Sequence, residues 1–450
     1  MSQGGIADYF KFAERGTTLQ TEAKAGLTTF LVMAYIIFVN PSILAAAGID
    51  PVPAAAATAL VAGVLTIIMG LVGNVPIAMA AGLGINGIVA FYLAQPVESG
   101  GLGLTAAGAM GVIVLEGLIV LILVIAGLRE AVMNAVPLSL KRAIGVGIGL
   151  FILFIGFVDG GLIRQPVGDG PVPVEFVFPN SAGGWLTLLG LLITIVLFVR
   201  RVPAALLLSI LITSVIALLV GVTSVPTSFS PVPNFATIGA FDVGNVFATA
   251  GVVTAILTIF TIMLADFFDT MGTATAIAEQ AGLTDEEGRV PDINRVLIVD
   301  SAGAALGGLA GISSNTSYIE SAAGVAEGGR TGFSSVVTGI LFLIAVFVTP
   351  LASLIPFNAT APVLIVVGYL MATLIKDIDF ADLDEGIPAL LTLILMPLTF
   401  SITVGIGAGF ISYVVIKLVR GRAGDIHPLM WLVAIAFAIY FAQAFINSLV

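Results

Sequence analysis

The sequence predicts an all-α polytopic membrane protein with fourteen transmembrane segments in two inverted sevenfold repeats. Three observations predict it. Of the 450 residues, 59% are hydrophobic and only 10% charged, and the mean hydropathy is +1.16, whereas a soluble domain carries far more charge. Apolar stretches of about 17 to 25 residues, enough to cross a bilayer core, recur along the whole length. Basic residues fall almost entirely on one side of the segments so defined.

Helices are expected at about 25 to 45, 54 to 72, 84 to 94 (short), 105 to 127, 138 to 158, 184 to 199 and 203 to 222, then at 247 to 270, 293 to 309, 315 to 327 (short), 332 to 355, 361 to 375, 387 to 403 and 405 to 419. With a cytoplasmic N-terminus, Lys11, Arg15, Lys24, Arg129, Lys141, Arg142, Arg200, Arg201, Arg289, Arg295, Arg330, Lys376, Lys417, Arg420 and Arg422 all fall inside, and Arg164 alone falls outside. Adding or removing a central span destroys that pattern. A further apolar run, 429–450, carries no Lys or Arg; it can span, lie at the interface or pack against a partner. The 450 residues form one integral membrane unit, and the mixed polar start with Lys11, Arg15 and Lys24 does not read as a cleavable signal.

Seven is odd, so two sevenfold repeats insert in opposite senses. Leu27-Thr28-Thr29-Phe30 recurs as Leu257-Thr258-Ile259-Phe260, an offset of 230, and Gly82-Leu83-Gly84-Ile85-Asn86 as Gly311-Ile312-Ser313-Ser314-Asn315, an offset of 229. Inverted repeats with short interrupted segments in matching halves are a transporter architecture, with the site near the midplane. The third and tenth segments are both short and follow Gly73-Asn74-Val75-Pro76 and Gly307-Gly308-Leu309-Ala310-Gly311. Irregular backbone at that depth must be buried in protein or line a cavity.

Two strings place carboxylates in these apolar surroundings: Ala265-Asp266-Phe267-Phe268-Asp269-Thr270-Met271-Gly272-Thr273, and Gly311-Ile312-Ser313-Ser314-Asn315-Thr316-Ser317-Tyr318-Ile319-Glu320. Intramembrane ionisable groups are costly and are kept for transport, proton relay or ligand work. Asp266, Asp269 and Thr273 sit at i, i+3 and i+7, roughly one helical face, and can point into one cavity. Desolvation there suits a carboxylate to accept a proton near neutral pH, and its ionised form accepts N–H hydrogen bonds. Asp269 and Glu320 are the leading candidates, with Asn86, Asn315, Thr316 and Ser317 as polar neighbours. Glu116 is a further carboxylate, in the fourth span, without polar residues beside it in sequence.

Other chemistries are excluded by composition. There is no cysteine, and His427 is the single histidine, so thiolate chemistry and a His-rich metal site are both ruled out, and no cofactor is expected. No phosphate-cradling Gly-Lys-Ser loop appears, so ATP is not the energy source. An intramembrane aspartyl protease needs a Gly-x-Gly-Asp pattern, yet Gly82-Leu83-Gly84-Ile85 leads to Asn86. A potassium-selective pore needs a carbonyl filter sequence that is missing. The reading is a transporter and not an enzyme, with no nucleic-acid partner. An anion transporter for sulfate, bicarbonate or a dicarboxylate is the alternative, against which acidic groups in the site would act.

Glu14-Arg15-Gly16-Thr17-Thr18 and the run from Glu22-Ala23-Lys24 through Met33-Ala34-Tyr35 to Val39-Asn40-Pro41 resemble the N-terminal signature of the AzgA-like purine permeases. The Asp266 to Thr273 string, the Ser313 to Glu320 string and Gly328-Gly329-Arg330-Thr331-Gly332 resemble the same family. The resemblance covers nearly the whole chain. It implies a core domain (25–127 and 247–355) rocking against a gate domain (138–222 and 361–420), a homodimer formed through the gate, and proton-coupled uptake of adenine, guanine or hypoxanthine, with sodium as the other candidate coupling ion. Short termini and the lack of an organelle signal point to a prokaryotic plasma membrane. The resemblance makes Asp269 and Glu320 the carboxylates that flank the base, places Asp266 near the proton path, and makes Asn86, on the half helix with Gly84, the substrate-contacting asparagine. Thr273 stands where uracil-type relatives place a histidine, so a histidine relay is not expected. Members usually carry a proline and a methionine in the third segment, where this chain reads Ala80-Ala81-Gly82-Leu83-Gly84.

Overall fold

The computed structural model describes residues 5–127, 136–166, 174–225, 230, 232–284, 290 and 293–447, without the side chains of Phe268 and 443–447. Arg129 and Arg289, two of the basic residues used to orient the spans, lie outside the described residues.

Helix α1 (Leu19–Met33) starts where Thr18 accepts a hydrogen bond from the Thr21 backbone N–H at 3.2 Å, one of the donors that a helix start leaves unpaired. It breaks at Ala34 and Tyr35 before α2 (Ile36–Leu44), so the first expected span is two helices. Helix α3 (Pro51–Ile68) opens on a proline behind the capping Asp50, where the missing N–H costs nothing. Strand β1 (Met79–Ala81) leads into the short α4 (Leu83–Ile88), followed by α5 (Ala106–Ile125) and α6 (Leu138–Asp159). A small hairpin of β2 (Ile163–Arg164) and β3 (Glu175–Phe176) precedes α7 (Ala182–Val199) and α8 (Ala205–Leu219).

In the second half, α9 (Val243–Ala250) meets α10 (Val252–Gln280) at Gly251. The eighth helix thus runs ten residues beyond its expected end at 270. Helix α11 (Ile293–Leu309) is followed by β4 (Asn315–Ser317) and the short α12 (Ser321–Ala326). Next come α13 (Gly332–Ala345), continued by 3₁₀ turns to Leu354, α14 (Phe357–Ala372), α15 (Leu383–Thr399), α16 (Ile402–Val419) and α17 (Pro428–Asn447). Among the described residues, nine helical stretches are long and apolar enough to cross a membrane.

The tenth segment differs from expectation. Residues 315–317 are a strand and not the start of a helix, and helix begins only at Ser321. Strands β1 and β4 pair antiparallel, with Met79 opposite Ser317, Ala80 opposite Thr316 and Ala81 opposite Asn315. Hydrogen bonds from Gly82 N to Ser314 O (2.8 Å) and from Tyr318 N to Ala78 O (2.9 Å) extend the pairing, so the unwound backbone of each segment satisfies the other. Each strand then enters a short helix, an arrangement that duplication in opposite senses produces. The register of the duplication is nevertheless not the one the sequence motifs suggest. Asn86 lies on the helix after β1, whereas Asn315 is the first residue of β4. Matching strand to strand sets Met79 against Asn315, an offset of 236 (315 − 79). Glycine and small residues recur wherever helices pack closely, so a Gly-x-small-x-Asn match carries little register information.

Close packing is visible where the end of α3 meets the start of α13: a Cβ on Gly332 would stand 1.9 Å from the Gly70 carbonyl oxygen. Buried Glu22 on α1 accepts the backbone N–H groups of Arg330 (2.8 Å), Thr331 (3.3 Å) and Ser334 (3.3 Å) at the start of α13, a placement that the helix dipole favours. The most extensive packing runs between α5 and α11, between α3 or α1 and α13, and, separately, among α6, α14 and α15, α15 with α16, and α7 with α8 and α14. The terminal helix α17 packs on its own chain: Phe437 is buried against Phe410, and the Tyr440 and Tyr92 hydroxyls are 2.6 Å apart.

Candidate functional site

Where the β1–β4 pair gives way to α4 and α12, the backbone leaves room beside α10, and a cavity opens with about 440 Å³ of empty space, part of it continuous with solvent. Its walls come from Tyr35 at the α1–α2 break, Gly82, Leu83 and Gly84 at the start of α4, Asp269 and Thr273 on α10, Thr316 through Glu320, and Val367 and Met371 on α14. Among the described residues, two carboxylates and no cation line it.

The carboxylates are held differently. Asp269 is exposed to the cavity and makes no hydrogen bond with the described residues. Glu320, half-buried at the first turn of α12, accepts a 2.6 Å hydrogen bond from the Tyr35 hydroxyl through Oε1. Tyr318 is fixed by donating its hydroxyl to the Ala81 carbonyl across the strand pair. Gly84 brings α4 against α6, since a Cβ there would stand 2.5 Å from Ile148 Cγ2.

Of the residues singled out in the sequence, Asp269, Thr273, Glu320, Gly84, Thr316 and Ser317 share this cavity. Asp266, Asn86 and Asn315 do not line it. Asp266 turns inward, 3% exposed, and its Oδ2 accepts from the Ser314 hydroxyl at 2.9 Å. The Asp266–Asp269–Thr273 face therefore does not converge on one cavity, because i and i+3 on a helix differ by about 60° and Asp266 is turned to Ser314. Asn86 and Asn315 are fully buried, with both side-chain polar atoms unpaired.

Asp300, which the sequence reading passed over, organises the wall behind the cavity. Its Oδ2 accepts from Thr270 (2.6 Å), and its Oδ1 accepts from both the backbone N–H and the hydroxyl of Ser317 (2.9 Å each). Thr270 and Thr316 hydroxyls meet at 2.7 Å. The signal was present: Asp300 ends the apolar run Val296-Leu297-Ile298-Val299, and an acid there calls for a partner.

Residues 20–408 match the Xan_ur_permease model, that of a permease family. Over 446 residues the chain is 40% identical to the guanine/hypoxanthine permease PbuG of Bacillus subtilis (strain 168), which takes in 96% of this chain and 98% of that protein. It is 39% identical over 442 residues to the adenine permease AdeP of Escherichia coli (strain K12), with 97% and 95% covered. Among solved structures, it resembles the transmembrane domain of the cyanobacterium bicarbonate transporter BicA, with a TM-score of 0.63 at 15% identity over 87% of this chain and 97% of that one. At that identity the likeness is one of fold. The chain belongs to the permease family, and it is a multi-pass membrane protein.

Proposed function

We propose that this permease is a secondary active importer of purine nucleobases, adenine, guanine or hypoxanthine, driven by protons across the plasma membrane of a prokaryotic cell. The observation that carries the reading is the pair Asp269 and Glu320 facing one cavity beside the β1–β4 ends. A purine edge offers ring N–H and exocyclic amine donors beside acceptor nitrogens, so carboxylates and backbone groups can read it, and analogues without those donors leave buried acceptors unpaired. The names of the relatives support the same substrate class.

The proposal includes the finer architecture: fourteen segments in two inverted repeats, a cytoplasmic N-terminus, a core of 25–127 and 247–355, and a gate of 138–222 and 361–420 that pairs in a homodimer. Support comes from the packing, in which α1, α3, α5, α11 and α13 group apart from α6, α7, α8, α14, α15 and α16. The cavity lies between the groups, with Val367 and Met371 of α14 facing Asp269, so rocking one group on the other would open it to either side in turn. A proton on one cavity carboxylate and a bound base are then linked through shared electrostatics. Anion transport on this fold is disfavoured by two carboxylates and no lining cation.

Uptake of radiolabelled adenine, guanine, hypoxanthine and uracil into proteoliposomes, with and without an inward proton gradient, tests the reading beside Glu320→Gln. Gradient-driven accumulation of a purine that the variant loses supports it. No uptake of any base by correctly folded and oriented protein overturns it.

A further inference from the structure

Behind β4, outside the cavity, lies a second group of buried polar side chains. Glu116 stands mid-way along α5, fully buried, and among the described residues neither carboxyl oxygen meets a donor. Asp266 on α10 is the nearest carboxyl group acting on it, and the two act on each other across the α5–α10 packing. Asp266 uses Oδ2 to accept from Ser314, and its Oδ1 is left unpartnered. The titratable groups acting on the pair are Asp300 from α11 and Asp269 from α10, and no cation is among them.

Two carboxyl groups acting on each other in an apolar interior cannot both be ionised, since burying one unpaired charge already costs several kcal/mol. A hydrogen bond between them requires a proton on one. An O–H on Glu116 donated to Asp266 Oδ1 uses the atoms left without partners. A metal ion is the other cation that could neutralise the pair, yet among the described residues no three Asp, Glu or His side chains are grouped to hold one.

We infer that Glu116 and Asp266 form an internal proton site, an O–H···O pair holding one proton behind β4 that is exchanged with the cavity carboxylates during transport. The proton moves from one carboxyl oxygen to another, and no bond besides O–H is made or broken. Asp300, which acts on the pair, accepts from the Thr270 and Ser317 hydroxyls, and Thr270 in turn meets the Thr316 hydroxyl; Ser317 and Thr316 line the cavity. Glu116 acts through Asp266 and touches no substrate, so it is a positioning and proton-holding residue. The exchange half of the inference rests on the proton-coupled reading above; the presence of the proton does not.

Infrared difference spectroscopy on the full chain in lipid decides the first half. The protonated-carboxyl band of the wild type, identified by its shift in heavy water, is expected to be lost in both Glu116→Gln and Asp266→Asn, and to be the same in sodium and choline buffers. Absence of any such band, or its disappearance when sodium is added, overturns the site. Should Glu116→Gln not fold, Glu116→Asp reads the same band by its shift. For the second half, Glu116→Gln proteoliposomes are expected to keep base counterflow but to lose accumulation driven by the proton gradient. Full accumulation by the variant overturns the exchange role. If the wild type itself shows no gradient-driven accumulation, proton coupling fails while the infrared band still reports whether the pair holds its proton.

Discussion

The Tyr35 hydroxyl donates a 2.6 Å hydrogen bond to Oε1 of Glu320, tying the break between α1 and α2 to the first turn of α12. Tyr35 is fully buried and Glu320 half-buried in the cavity wall. One oxygen is thereby committed to the protein, which orients the carboxyl group toward the cavity. Tyr35→Phe keeps the ring and removes the anchor. Hydrogen bonds to charged groups contribute about 1.5–3 kcal/mol, so KM for the transported base should rise roughly tenfold or more while the folded yield is retained. Initial uptake rates across substrate concentrations measure this, and an unchanged KM would remove Glu320 from substrate contact.

Asp269 and Asp300 are both deep in the bundle, but they should respond oppositely to truncation. Asp269 makes no hydrogen bond with the described residues and is exposed to the cavity, so Asp269→Ala should leave the thermal midpoint nearly unchanged while base binding is lost. Asp300 accepts three hydrogen bonds. Asp300→Ala strands those donors, at a cost of about 1–3 kcal/mol for each one left buried and unsatisfied. Its midpoint should fall clearly below that of Asp269→Ala in parallel melting curves, and equal midpoints would contradict the assignment of Asp300 to the scaffold.

Gly84 and Ile148 meet where α4 approaches α6, with only 2.5 Å between a would-be Cβ and Ile148 Cγ2. If those helices belong to the two bodies that move in transport, Gly84→Ala obstructs their approach in this state. Its maximal uptake rate should fall, and adding Ile148→Ala, which removes the clashing methyl, should restore much of it. A double variant no faster than Gly84→Ala alone would mean that the glycine serves something other than clearance.

What was readable beforehand follows from where each signal lives. The nine long apolar helices were legible because about 20 apolar residues in a row leave few alternatives. Asp269 and Glu320 were legible because an acid inside such a run demands a reason. Glu116 looked isolated, since the residues around it in α5 are apolar; the group that acts on it, Asp266, is supplied by α10 and is held in turn by Ser314 from the turn before β4. Strands β1 and β4 left no mark, because Met79-Ala80-Ala81 and Asn315-Thr316-Ser317 carry no alternation over three residues and pair only across the fold. The turn that aims β4 holds Gly311 and Ser313 both at positive φ, 72° and 74°. The serine gives no hint of that conformation, which glycine adopts at little cost and other residues rarely.

Asp384, at the start of α15, gathers the cations of the following hairpin. Its side chain is 1% exposed, with Lys417 Nζ at 3.1 Å, Arg420 Nη1 at 2.8 Å and Arg422 Nη1 at 2.8 Å. Arg420 approaches Oδ1 without hydrogen-bond geometry, whereas Lys417 and Arg422 share Oδ2. Lys417 itself is only 10% exposed, so Asp384→Ala leaves a buried ammonium beside two guanidinium groups. Removing one partner of a buried pair costs about 3–5 kcal/mol. Arg164–Glu175, at 2.7 Å but with side chains 56% and 36% exposed, provides the contrast, because exposed pairs contribute about 0–1 kcal/mol. Thermal midpoints in detergent should therefore drop strongly for Asp384→Ala and hardly at all for Glu175→Ala. The double variant Asp384→Ala with Lys417→Met should recover part of the loss, since it removes the stranded charge. Equal small effects from both single changes would show that the cluster at the end of α16 is solvated in the membrane-embedded protein and does not join α15 to α16.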